Sequence, residues 1–121
     1  MARRILVVED FNTSRQIIKK TLEKMGYVVD EAADGREALK YLDGRKLDLV
    51  ISDYNMPNMD GGALVEYLRS KSEYRYIPVL MLSTETNTEK QNKVKEAKIT
   101  AWIRKPFEVD VFSAIVQKAL R

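Results

Sequence analysis

The chain has no cysteine and no histidine. Without cysteine there is no disulfide, no thiol nucleophile and no thiolate metal site. Without histidine the usual general base is gone, and with it the Ser-His-Asp arrangement and most transition-metal sites. Nor can the chain carry a phosphohistidine of its own. No apolar run approaches the ~20 residues that a helix needs to cross a bilayer. Low-complexity tracts, repeats and linkers are absent as well. For a metal, these absences leave a hard, oxygen-ligated cation such as Mg²⁺ or Ca²⁺.

What is present is ordinary in bulk. A length of 121 residues suits one packed core, so residues 1–121 read as a single domain. The net charge of +3 is spread along the chain and does not point to nucleic acid. The start, Met1-Ala2-Arg3-Arg4, runs straight into Ile5-Leu6-Val7-Val8. That apolar run is too short for a signal-peptide core and has no small-residue cleavage site after it. Cytoplasmic residence is therefore the expectation.

Hydrophobic periodicity alternates between that of strands and that of helices. Strands are predicted at 5–8, 27–29, 49–52, 78–82 and 101–103. The spacing predicts helices over 14–25 (stopped by Gly26), from Asp34-Gly35 through Leu42, and over 62–70, 88–98 and 110–120. The helix at 88–98 is thinly apolar, with Val94 and Ala97 its main inward residues, and it carries Lys90, Lys93, Lys95 and Lys98. Five strands alternating with five helices predict an α/β fold, a doubly wound five-stranded parallel sheet covered on both faces. Such a pattern names no function.

Chemistry enters at the strand ends. The run Leu47-Asp48-Leu49-Val50-Ile51-Ser52-Asp53 reads as a strand buried on both faces that delivers one carboxylate, Asp53. The first strand ends in Glu9-Asp10, the fourth in Ser83-Thr84, and the fifth is followed by Arg104-Lys105-Pro106. In a parallel sheet these ends share one edge, where open α/β folds bind ligands. Gathering Glu9, Asp10 and Asp53 costs like-charge repulsion, so a cation is expected, and oxygen-only ligands favour Mg²⁺. Each residue also has a plainer account. Asp10 can help cap the following helix, Asp53 can form a turn, Ser83 or Thr84 can cap, and Lys105 can be a solvated loop charge. Four such accounts would have to coincide at one edge.

The elements Val8-Glu9-Asp10, Asp53-Tyr54-Asn55-Met56-Pro57-Asn58-Met59-Asp60-Gly61, Leu80-Met81-Leu82-Ser83-Thr84 and Lys105-Pro106-Phe107 resemble, in order, the receiver domain of two-component response regulators. The resemblance spans essentially the whole chain and implies a flavodoxin-like sheet of order 2-1-3-4-5. It implies that Asp53 accepts a phosphoryl group from a phosphohistidine on a histidine kinase or phosphotransfer protein. Asp10 and Asp53 would hold Mg²⁺ directly, the backbone carbonyl of Asn55 would complete the protein ligands, and Glu9 would act through water. Lys105 and Ser83 would meet the phosphoryl oxygens, and Trp102 would be the switch aromatic, where tyrosine or phenylalanine is commoner. The pair Asn55 and Glu85 resembles that of chemotaxis-type regulators and implies a short-lived phosphoryl group. A downstream protein would bind the fourth helix, fifth strand and fifth helix, and the chain would be a monomer or weak dimer with neither membrane insertion nor direct nucleic-acid binding.

Three other readings stay open. The chain can be a receiver from a longer regulator with a DNA-binding or enzymatic output domain. It can be a hydrolase working through an aspartyl phosphate, although such enzymes usually place a second acid two residues past the nucleophile, where this chain has Asn55. It can also be a partner-binding receiver without phosphoryl chemistry, against which the full set of acids and Lys105 argues.

Overall fold

The computed structural model describes residues 2–84 and 99–121. Five strands, β1 (Arg4–Val8), β2 (Val28–Ala32), β3 (Leu49–Asp53), β4 (Val79–Ser83) and β5 (Ala101–Arg104), form one sheet. All pairings are parallel and the order is β2-β1-β3-β4-β5. The helices among the described residues are α1 (Asn12–Lys24), α2 (Gly35–Ala38), α3 (Gly61–Ser70) and α4 (Val109–Ala119). The helix predicted at 88–98, with its four lysines, lies outside the described residues. None of the described helices is long and apolar enough to cross a membrane.

Successive strand side chains point to opposite faces, and this pleat divides the core in two. Ile5, Val7, Leu49, Ile51, Leu80, Leu82 and Ile103 pack on Ile18 and Leu22 of α1 and on Phe112 and Val116 of α4. Leu6, Val8, Val50, Val79 and Met81 pack instead on Ala38 of α2 and on Leu64, Val65 and Leu68 of α3. β1, β3 and β4 are buried on both faces, which is why they read as continuous apolar runs.

Two elements differ from expectation. β2 runs on through Asp30 and Glu31, because both charges are paired: Asp30 lies 3.6 Å from Arg4, and Glu31 lies 2.9 Å from Arg15 and 2.7 Å from Lys19. The second helix is only four residues long. It continues as a 3₁₀ turn at Leu39–Tyr41 that ends at Leu42. The chain then reverses at Gly44, whose φ of +98° is open to glycine. Buried Tyr74 fixes that reversal, its hydroxyl accepting from the Gly44 N–H (3.0 Å) and donating to the Arg45 carbonyl (2.8 Å). Gly26, also left-handed at φ +93°, stops α1 as predicted.

Candidate functional site

The pleat that sorts the core also assembles the site. Glu9 continues the Ile5-Val7 alternation, Asp53 continues Leu49-Ile51, and Lys105 continues Ala101-Ile103, so all three emerge on the α1/α4 face. Backbone bonds carry the ladders to these positions: Glu9 N–H to the Ala32 carbonyl (3.0 Å), Tyr54 N–H to Leu82 (2.9 Å) and Lys105 N–H to Ser83 (2.9 Å). Lys105 Nζ then lies 2.6 Å from Glu9 Oε2 and 2.7 Å from Asp53 Oδ1. Glu9 is fully buried and Asp53 is 5% exposed. Above them opens a cavity of about 270 Å³ lined by Phe11, Ser14, Asp53, Asn55, Ser83, Thr84 and Lys105.

Electrostatics set these groups apart from surface acids. Burial first, and then the neighbouring Glu9 carboxylate, push the Asp53 carboxyl up to about 7, while Lys105 opposes the rise. Burial alone would lower the Lys105 ammonium, but its bonds to Asp53 and Glu9 outweigh it and hold the lysine above its ordinary value. One oxygen from each of Glu9, Asp10 and Asp53 lies within 4.8 Å of the others. Three carboxylate oxygens this close, with one ammonium between two of them, are a hard-donor set suited to Mg²⁺. The donor chemistry fits the ion that the sequence implied.

The loop after β3 is built to bring Asp53 into place. Asp60 caps α3 by accepting the Ala63 N–H (2.8 Å), and the Gly61 N–H donates to the Tyr54 carbonyl (2.8 Å). A Cβ on Gly61 would sit 2.5 Å from the Asp53 carbonyl oxygen and 2.6 Å from Met81 Sδ. Only glycine lets α3 start this close to the acid. Asn58, left-handed at φ +69°, donates to Asp34 (3.0 Å) and ties the loop to the start of α2.

Asp10 does not cap α1: Phe11 is the N-cap and has no side-chain cap bond. Asn55 is exposed at the cavity wall, and Ser83 is buried there. Trp102 sits apart on the α2/α3 face, half-buried, with its ring 5.5 Å from that of Tyr54. Glu85 lies outside the described residues.

Comparison with known proteins decides the family. A profile for the response regulator receiver domain matches residues 5–117. The chain belongs to the receiver domain family. This receiver is 38% identical over 105 residues to chemotaxis protein CheY-3 of Vibrio cholerae, covering 86% of this chain and 81% of that protein. It is 34% identical over 116 residues to chemotaxis protein CheY of Pseudomonas aeruginosa, covering 95% and 94%. The crystal structure of V. cholerae CheY4 superposes with a TM-score of 0.93 at 40% identity, covering 99% of this chain and 100% of that one. The receiver is thus a two-component signalling domain of the CheY type rather than a typical enzyme.

Sequence reasoning did not pick out several residues of the receiver site. The sequence does not single out Phe11 on the cavity wall or Arg15, and it presents Tyr54 and Gly61 only as members of the motif that follows Asp53. The strand alternation would have sent Tyr54 and Trp102 to one face, and the Asp60-Gly61 pair at a helix start hinted at close approach. Nothing local marked Arg15.

Proposed function

We propose that this chain is a Mg²⁺-dependent phosphoacceptor switch in which Asp53 takes a phosphoryl group from a phosphohistidine on a separate kinase or phosphotransfer protein. The observation that carries the reading is Asp53 itself, a buried carboxylate at the wall of an open cavity, 2.7 Å from Lys105 and grouped with two further acids. An Asp53 oxygen attacks phosphorus as the phosphorus–nitrogen bond breaks. The electron pair returns to the imidazole, which leaves neutral or takes a solvent proton. Such transfer rests on positioning and charge neutralisation more than on a base, which suits a site without histidine. Asp10, Asp53 and the Asn55 carbonyl would hold the Mg²⁺, with Glu9 acting through water. Bound there, the ion would offset phosphoryl oxygen charge. Lys105 pairs with those oxygens as a compact cation, and the Ser83 hydroxyl donates to them.

Signalling then needs a surface that senses the site. Tyr54 follows Asp53 directly and packs on Trp102, which supports a change at the face around Trp102 that a partner protein reads. The CheY relatives support a chemotaxis role, and the pair Asn55 and Glu85 supports a short-lived phosphoryl group.

Incubation with a small acyl-phosphate donor and Mg²⁺, followed by intact mass, tests the reading. One added phosphoryl group is expected, labile to alkali, dependent on Mg²⁺ and lost in Asp53→Asn. Equal labelling of that variant would refute the assignment.

A further inference from the structure

Two of the three clustered acids stand on one short turn, Glu9-Asp10-Phe11, between β1 and α1. The Phe11 N–H donates to Glu9 Oε1 (3.2 Å) and the Glu9 N–H to the Ala32 carbonyl (3.0 Å), while the N-cap makes no side-chain bond. Arg15, one turn into α1, adds a hold on the turn from outside it. Its Nη1 donates to the Glu9 carbonyl (2.9 Å), its Nε to Glu31 Oε1 (2.9 Å) and its Nη2 to Asn12 Oδ1 (2.8 Å). Its side chain is 14% exposed. Glu31 is anchored in turn by Gln16 (2.9 Å) and Lys19 (2.7 Å), so one carboxylate on β2 gathers three donors from α1. Only a planar fork can reach the Glu9 carbonyl, Glu31 and Asn12 at once.

We propose that Arg15 is a positioning residue for the metal centre, its guanidinium clamping the β1–α1 turn to β2 so that the Glu9 and Asp10 carboxylates meet Asp53. The proposal rests on the Mg²⁺ reading of the site. Arg15 touches neither the cavity nor the acid side chains, and it acts through the Glu9 backbone. Groups that orient metal ligands typically change affinity about 10-fold or more when removed.

Sign separates this role from a merely electrostatic one. Arg15 is a cation beside a cation site, so removing its charge should, by Coulomb's law alone, tighten Mg²⁺ binding. Loss of positioning should weaken it. The measurement is a Mg²⁺ titration of the full chain by calorimetry, repeated with Mn²⁺ by loss of the free-ion electron paramagnetic resonance signal. Arg15→Met is expected to bind each ion about 10-fold more weakly than the parent chain. Arg15→Lys, which keeps the charge without the fork, should also be weaker.

The charge-neutral double variant Arg15→Met with Glu31→Gln guards against a folding defect. Glu31 keeps Gln16 (2.9 Å) and Lys19 (2.7 Å) in Arg15→Met. The double variant restores the net charge of the parent, so a parent-like melting temperature with Mg²⁺ affinity still about 10-fold weak separates positioning from folding and from net charge. Parent-like or tighter binding by Arg15→Met, or parent-like binding by the double variant, overturns the positioning role and leaves the Mg²⁺ site standing. No saturable binding by the parent chain at millimolar Mg²⁺ overturns both.

Discussion

The two faces of the sheet solve opposite problems. The α1/α4 face carries charge into the interior: Glu9 and Asp53 are buried there around one lysine, and Arg15 secures the turn beside them. The α2/α3 face carries almost none, and relies on close approach and apolar contact. Gly61 lets α3 touch the backbone of Asp53, Gly35 sits against Met59, and Tyr54 meets Trp102. The comparison teaches that one strand, β3, serves both. Asp53 projects to the charged face, and Tyr54, the next residue, to the apolar one. Whatever alters Asp53 therefore has a direct route through a single peptide unit to the face that Trp102 occupies.

The largest break in this comparison is expected from Lys105→Met. It leaves two buried carboxylates without their counter-charge, and removing one partner of a buried pair costs about 3 kcal/mol. In chelator, chemical denaturation should show that loss. Added Mg²⁺ should restore more stability to the variant than to the parent, since the ion takes over the role of the ammonium. An equal Mg²⁺ increment in both chains would mean that lysine and metal do not share the carboxylates.

Gly61→Ala attacks the apolar face next. Its Cβ would meet a backbone oxygen at 2.5 Å and Met81 Sδ at 2.6 Å, so strand and helix must part. Overpacking of this kind costs about 2 kcal/mol even after alanine's better helix propensity is credited. Denaturant melts should register it with the Lys105 ion pairs unperturbed. A neutral or stabilising outcome would show that α3 starts farther from Asp53 than its geometry requires.

The smallest effect sharpens the charged face through pH. Between its ordinary value of 3.8 and about 7, folded Asp53 holds a proton that the unfolded chain has released. The unfolded state binds fewer protons there, so metal-free stability should fall as pH rises through that window. Asn has no such titration. The drop in melting temperature from pH 5 to pH 7.5 in chelator should be about 5 °C smaller for Asp53→Asn than for the parent. Parallel curves for the two chains would place the titrating group elsewhere.

Much of this was legible in the residues. Buried strands announce themselves as unbroken apolar runs, so β1, β3 and β4, and the acids at the ends of the first two, are legible directly. Asp30 and Glu31 look like the end of a strand, and their ion pairs with Arg4, Arg45, Arg15 and Lys19 make them tolerable within β2. Leu39 and Leu42 keep helical spacing, so the sequence predicts a second helix longer than the four residues of α2. The Tyr74 hydroxyl that pins the turn at Gly44 arrives from 30 residues away. Capping by Asp10 is an account that neighbours alone suggest, whereas its grouping with Asp53 joins residues far apart along the chain.

Sequence alone determined the order of strands and helices, the acids at the strand ends and the kind of cation they can hold. Those follow from local periodicity and from which side chains are missing. Only the tertiary structure decided that Glu9, Asp53 and Lys105 share one face while Tyr54 and Trp102 share the other, because that depends on sheet register and pleat. It alone decided that Arg15 reaches the Glu9 carbonyl and that Gly61 must stay bare. Those contacts join residues that no local pattern relates, and they exist only once the chain has packed.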